Sequence, residues 1–244
     1  MKILAIESAS VTASAAVVTE ERILAEYTTN YKKTHSETLL PMISECFRMT
    51  DDEIASVDAI AVSYGPGSFT GLRIGAATAK GLAFAADKPI IAVPTLDALA
   101  YGMVGSEYVL VPIMDARRGE VYTGLYAFEG EAFQVLESAV AVPITEQIEK
   151  ARKLGEKLHK KVCFLGDGVP VFRETIRELF PEACFAPAHV CFQRASSVAL
   201  LGMKMLEKGE TVSAFEFEPL YLRESQAERE RKAMGLSIEP AENV

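Results

Sequence analysis

The 244-residue sequence has no tryptophan, only three histidines and only four cysteines. His35, His159 and His189 stand far apart and form no histidine pair, so a histidine-based metal centre has no readable motif. Cys46, Cys163, Cys184 and Cys191 include no CxxC and read as buried apolar residues of a reducing compartment. A serine-hydrolase elbow is missing too, since Gly65-Pro66-Gly67-Ser68 lacks the GxSxG frame. No run reaches the ~18 apolar residues that span a membrane. Met1 to Ile6 could pass for a signal peptide, with Ala13-Ser14-Ala15 as its cleavage site. Glu7 interrupts that apolar stretch after four residues, short of the usual ~7–15. The expectation is a cytoplasmic protein that begins with a strand.

Positive charge is also scarce. Lys and Arg number 25 against 34 Asp and Glu, a net charge of −9. A protein that grips nucleic acid unaided presents a basic face, because phosphate neutralisation supplies most of the affinity. The dense cationic cluster read here is Arg229, Arg231 and Lys232, interleaved with Glu228 and Glu230. Any RNA-related role is therefore expected to run through a partner. What the chain has in plenty is hydrophobic residues, at 49%, enough for a sizeable core.

Those residues are arranged in one pattern written twice. Residues 2–7, 12–19 and 22–31 read as strands, the third alternating through Ile23, Ala25, Tyr27 and Thr29. Thr34 and Glu37 predict a capping box, and the helix it opens carries Leu39, Leu40, Ile43 and Phe47 on one side. Pro41 is expected to kink this helix or delay its start. Thr50 and Glu53 predict a second box for a short helical turn. A strand at 58–64, the Gly65–Ser68 loop, a helix at about 69–86 and a strand at 89–93 follow.

The second half repeats this order with strands 108–114, 120–128 and 132–140 and a helix at roughly 145–160. Strand 161–165, the loop Gly166-Asp167-Gly168 and a helix at 170–179 come next, then a further helix at about 194–208. The repeat predicts an α/β chain of two tandem ribonuclease-H-like lobes, the ASKHA arrangement of actin, Hsp70 and sugar kinases. The expected lobes are 1–102 and 103–223, with the 194–208 helix free to pack back on the first. Residues 224–244 are polar and expected to form a mobile tail.

In that fold, ATP phosphates lie between two hairpin turns, which need glycine or small polar residues so that backbone N–H groups can approach. The first turn offers Ser8, Ser10 and Thr12. The second offers Asp115, but then Ala116, Arg117 and Arg118 where glycines are expected. With Gly166 and Gly168, these residues are candidates for a vestigial nucleotide or anion site. The 65–71 glycine loop is a weak dinucleotide signal, since no acidic residue ends the next strand to hold a ribose.

Residues 3–8 (ILAIES), 35–41 (HSETLLP), 62–82 (VSYGPGSFTGLRIGAATAKGL) and 114–122 (MDARRGEVY) resemble the TsaB (YeaZ) family, and the resemblance runs on through Arg223. It implies a non-catalytic subunit supporting TsaD, which transfers the threonylcarbamoyl group to adenosine 37 of tRNAs reading ANN codons. TsaE, an ATPase, joins the pair, and TsaC makes the threonylcarbamoyl-adenylate. In TsaD a histidine pair, H-x-x-x-H, holds the catalytic metal. Thr95 and Leu99 align with that pair here, and neither is a normal strong ligand. The resemblance thus implies no catalytic residue, no metal and no cofactor for the subunit alone, with ATP or ADP only at the complex junction. It also implies a homodimer when alone, tRNA contact only through the complex, and no membrane.

In the family the first two helices form the shared partner surface. The candidate interface is Leu39, Leu40, Ile43, Phe69, Arg73, Ala76 and Lys80. Gly71, Gly75, Ala79 and Ala83 make a narrow small-residue face at i, i+4, i+8 and i+12. Ala76 is off that stripe, between Arg73 and Lys80, and is expected to reach water. The alternative is an ATP-dependent small-molecule kinase or glycoprotease-like enzyme of the same fold, needing a glycine-rich second turn or the histidine pair.

Overall fold

The computed structural model describes residues 1–31 and 33–223. The expected tail at 224–244, with its Arg229 cluster, lies outside them. The first sheet contains β1 (Lys2–Glu7), β2 (Ala13–Thr19), β3 (Ile23–Thr29), β4 (Ala59–Gly65) and β5 (Ile90–Pro94), in the order β3-β2-β1-β4-β5. The second contains β6 (Val109–Arg117), β7 (Glu120–Glu129), β8 (Ala132–Pro143), β9 (Val162–Leu165) and β10 (Cys184–Phe185), in the order β8-β7-β6-β9-β10. In each, two antiparallel pairings precede two parallel ones. The chain is an α/β protein of two ribonuclease-H-like lobes.

Helices α1 (His35–Thr50) and α2 (Phe69–Ala86) belong to the first lobe, α4 (Ile144–Leu158) and α5 (Val169–Leu179) to the second. The β1 sequence is almost uninterrupted apolar because both faces of its sheet are covered. Leu4 and Ile6 join a cluster with Leu39, Ile43 and Ala79 from α1 and α2. Ile3 and Ala5 pack instead with Val198, Ala199 and Met203 of α7 (Ala195–Glu207), so the last long helix lies on the first-lobe sheet. Glu26 of β3 fixes its start, accepting from Ser196 N at 3.0 Å and Ser196 Oγ at 2.7 Å and pairing with Arg194. These charge-assisted bonds satisfy helix N–H groups that have no partner within the helix.

Local corrections follow. Helix α1 starts at His35, with Thr34 N donating to Glu37 Oε2 at 3.4 Å, and runs through Pro41. The second capping box does not form: Thr50 ends α1 and its hydroxyl donates to Cys46 O at 3.0 Å. Three elements had no readable periodicity, α3 (Thr95–Tyr101), α6 (Ala188–Cys191) and the two-residue β10. Seven and four residues are too short for a 3.6-residue pattern to show, and two for an alternating one.

Candidate functional site

Helix α2 decides what the first lobe can offer. Its inner face is the small-residue stripe, and two glycines there are pressed against Ser8, one on its backbone and one on its hydroxyl. A Cβ at Gly71 would lie 2.1 Å from Ser8 O, and one at Gly75 would lie 2.2 Å from Ser8 Oγ. The stripe therefore packs on the lobe's own β1–β2 turn. Ala76 shares that inner side, 7% exposed in the core cluster, which corrects the expectation that it reaches water. Position 76 follows Gly75 by 100° around the helix and still falls within the broad apolar arc. Leu39 and Ile43 are likewise buried in the lobe's own core and are not available to a partner.

The other candidates do reach the surface. Leu40 is 56% exposed, Arg73 is exposed, and Phe69 and Lys80 are half-buried. The outward face of α2 continues through Ala77, Gly81 and Phe84, all exposed, and a Cβ at Gly81 would meet nothing within 4 Å. A second, open row of small residues is thus present on the side roughly opposite the buried one. The spacing of Ala77 and Gly81 was legible but was overshadowed by the longer glycine stripe.

Between the lobes lies a cleft of about 730 Å³, lined among others by Ser10, Ser68, Asp115, Arg117, Asp167 and Arg223. It brings together part of the candidate nucleotide site and excludes the rest. Ser8 and Thr12 are fully buried. Two of the turn's N–H groups and one carbonyl are already engaged: Ala9 N donates to Glu7 Oε1 at 2.7 Å, Thr12 N to Ser10 Oγ at 3.1 Å, and Ala9 O accepts from Ser68 N at 2.7 Å. Gly166 and Gly168 are used for packing, since a Cβ at Gly166 would come within 2.3 Å of Ile113 O, and Gly168 N donates to that oxygen. Asp115 accepts from Arg117 N at 2.8 Å and pairs with its guanidinium at 3.2 Å. Arg117 and Arg118 adopt φ of 67° and 58°, left-handed backbone that glycine would take without strain.

Two acids at this junction hold protons unusually well. Burial pushes Glu7 up to about 7, opposed by its bond from Ala9 and raised further by Asp167 across the junction. Burial likewise pushes Asp167 up to about 6, and Asp115 adds to the effect. An irregular segment at residues 220–223 then lies along the cleft. Leu220 N donates to Tyr64 O at 2.7 Å, and the Tyr221 ring lies 4.8 Å from Phe69. Arg223 pairs with Glu120 at 2.5 Å and donates to Ala116 O at 3.3 Å.

Thr95 and Leu99 are both committed to internal contacts. Thr95 Oγ1 accepts from Gly65 N at 3.1 Å, and Leu99 is buried in the second-lobe core. Among the described residues no helix is long and apolar enough to cross a membrane.

The family described as TsaD, tRNA N6-adenosine threonylcarbamoyltransferase, matches residues 22–231. The tRNA threonylcarbamoyladenosine biosynthesis protein TsaB of Bacillus subtilis is 34% identical, covering 93% of this chain and 96% of that protein. TsaB of Escherichia coli is 30% identical over the same shares. Among solved structures, YeaZ from Pseudomonas aeruginosa is 27% identical with a TM-score of 0.73, covering 91% of this chain and 99% of that one. Another Pseudomonas aeruginosa structure, described as similar to peptidase YEAZ, has a TM-score of 0.74 at 27% identity and the same coverage.

Proposed function

The chain belongs to the TsaB (YeaZ) family of tRNA threonylcarbamoyladenosine biosynthesis proteins, and from that premise we propose that it is a non-catalytic subunit that binds and supports the TsaD-type transferase. The observation that carries this reading is the fate of Thr95 and Leu99, the positions aligned with the transferase's histidine pair. A hydroxyl engaged with Gly65 N and a leucine in the core leave no donor pair to hold a metal there. The β1–β2 turn supports the same view, because its Ala9 and Thr12 N–H groups are not free for phosphates. Any ATP or ADP then sits at the junction with the transferase. TsaE joins that pair, and the subunit alone forms a homodimer. A kinase or glycoprotease would need the glycine turn or the histidine pair that this chain replaces.

The partner surface in this reading is the outward side of α1 and α2: Leu40, Phe69, Arg73, Ala77 and Gly81, with Lys80 at its edge. Small residues at 77 and 81 let a second helix approach closely. Ala77→Glu tests it. The site is exposed, so the lobe should fold normally. In the assembled interface the glutamate would be buried without a partner, costing about 3 kcal/mol or roughly a hundredfold in affinity. The expected variant melts like the parent but neither self-associates nor supports tRNA modification in a reconstituted system. Normal dimerisation together with full modification would show that the surface is elsewhere.

A further inference from the structure

A net charge of −9 conceals one strongly cationic segment. Residues 150–161 carry Lys150, Arg152, Lys153, Lys157, Lys160 and Lys161 against a single carboxylate, Glu156. This run carries more net positive charge than the Arg229 cluster, and the whole-chain charge balance hid it. Helix α4 buries Ile148, Ala151 and Gly155 against its sheet, so Lys150, Lys153 and Lys157, at i, i+3 and i+7, form a row on the opposite, outward side. Lys161 is exposed just beyond the helix end and extends the row.

A charged helix face is often just a solvated surface with its own ion pairs, and the first half of α4 is that. Lys150 pairs with Glu137 at 3.0 Å and with Glu146 at 3.3 Å. Towards the C-terminal end the balance fails. Arg152 and Lys153 share one carboxylate, Glu149. Lys160 Nζ donates to Phe128 O at 2.9 Å. Lys157 and Lys161 have no ion-pair partner among the described residues. Lys153 and Lys157 are like charges at i and i+4, an arrangement that weakens a helix. One cation would complement the helix dipole there; the excess has no structural use.

We infer that this lysine row on α4 contacts the phosphate backbone of the tRNA substrate when the chain is part of its transferase complex. The inference rests on the subunit reading above. Lysines are compact point charges that neutralise phosphates without reading bases, which suits a contact away from the modified nucleoside. A membrane surface fits less well, because the apolar face of α4 is buried against its own sheet and cannot enter a bilayer. The row belongs to the second lobe, so RNA and the α2 partner surface do not compete for the same residues.

The test uses the full chain assembled with its cognate transferase and TsaE, and an unmodified tRNA transcript that reads ANN codons. Lys153→Glu, Lys157→Glu and Lys161→Glu are combined, with the triple Lys→Arg variant as the charge-preserving control. Assembly is measured separately by sedimentation. The expected result is unchanged assembly, tRNA affinity at least about tenfold lower at physiological salt, and a plot of log affinity against log salt flatter by about 3. The arginine control should match the parent. Intact assembly with unchanged affinity and slope would overturn this inference alone, as would a loss shared by the arginine control. Failure of the unaltered chain to assemble would remove the subunit reading and this inference with it.

Discussion

The first-lobe hairpin turn lies under helix α2, with Ala9 N and Thr12 N satisfied internally and Gly71 and Gly75 pressed against Ser8. The second-lobe turn is open, carries Arg117 and Arg118 in left-handed backbone, and lines the cleft. The outer helices differ in the same sense. Helix α2 presents alanine, glycine and phenylalanine outward, whereas α4 presents lysine. One topology has thus been used twice with different surfaces. A ribonuclease-H-like lobe fixes where its turn and outer helices stand, while side chains alone decide whether those places receive a phosphate, a helix or nothing.

The largest expected effect comes from breaking the seal in the first lobe. Gly71→Val forces a side chain into Ser8 O, where backbone on both sides leaves nothing flexible to yield. Loss of at least about 3 kcal/mol is expected, enough to unfold this lobe. Ala76→Glu should do the same by burying a charge. Gly81→Val, on the open side of the same helix, should leave stability nearly unchanged, because its Cβ meets nothing and valine is no worse a helix former than glycine. Thermal melts of the three variants check the contrast. Equal melting of Gly71→Val and Gly81→Val would mean that the turn is not sealed.

This contrast also shows what was legible in the residues. The order of elements along the chain, the two-lobe repeat and the extent of α2 followed from alternation and turn residues, because local patterning and the lobe topology agree. Which edge of α2 faces outward did not follow. The helix carries small residues on two roughly opposite rows, 71-75-79-83 and 77-81-85, which the contact with Ser8 and the burial of the first row distinguish. Ala76 was misplaced because the buried arc is broader than the stripe. The Thr50 box failed because Thr50 was still inside α1, where its hydroxyl returns to Cys46 O. At the cleft, Asp115 and Arg117 were legible from the turn sequence. Asp167 as a cleft acid was not, since it depends on how the second lobe closes over Val11.

The next effect sharpens the comparison through pH. Glu7 has a native pKa of about 7 against an ordinary 4.5, so the native state retains a proton that the unfolded chain has released. Stability therefore falls as pH rises from about 4.5 to 7 and levels off above. Asp167 adds a similar fall between 3.8 and about 6. Glu7→Gln keeps an acceptor for Ala9 N and removes the charge. It should stabilise the protein by on the order of 2 kcal/mol at pH 8 and have little effect at pH 4. Calorimetry at the two pH values checks this. Parallel melting curves for parent and variant would show that Glu7 is solvated.

A smaller effect is expected at the clasp between the lobes. Arg223→Ala removes the pair with Glu120 and the bond to Ala116 O, both partly exposed. The cost should be about 1 kcal/mol or less. Hydrogen exchange should reveal more than melting, with amides of residues 114–122 exchanging faster and those of β1 unchanged. Uniform exchange across both lobes would mean that Arg223 does not bridge them.

The smallest stability change should come from rebuilding the second-lobe turn with glycine. Arg117→Gly and Arg118→Gly relieve left-handed strain of roughly 1 kcal/mol each. They also loosen the unfolded chain and delete the Arg117–Asp115 pair, so the melting point should hardly move. With Ala116→Gly added, the turn would have the small residues that a phosphate-binding hairpin requires. Nucleotide binding should still not appear, because a phosphate between the lobes needs N–H groups from both turns. In the first lobe Ala9 N already serves Glu7, Thr12 N serves Ser10, and Ser68 N closes over Ala9 O. Titration calorimetry with magnesium-ATP should give no heat beyond dilution for the triple-glycine chain. Saturable binding at millimolar ATP or below would mean that the two turns are alike after all, and that the arginines alone had closed the site.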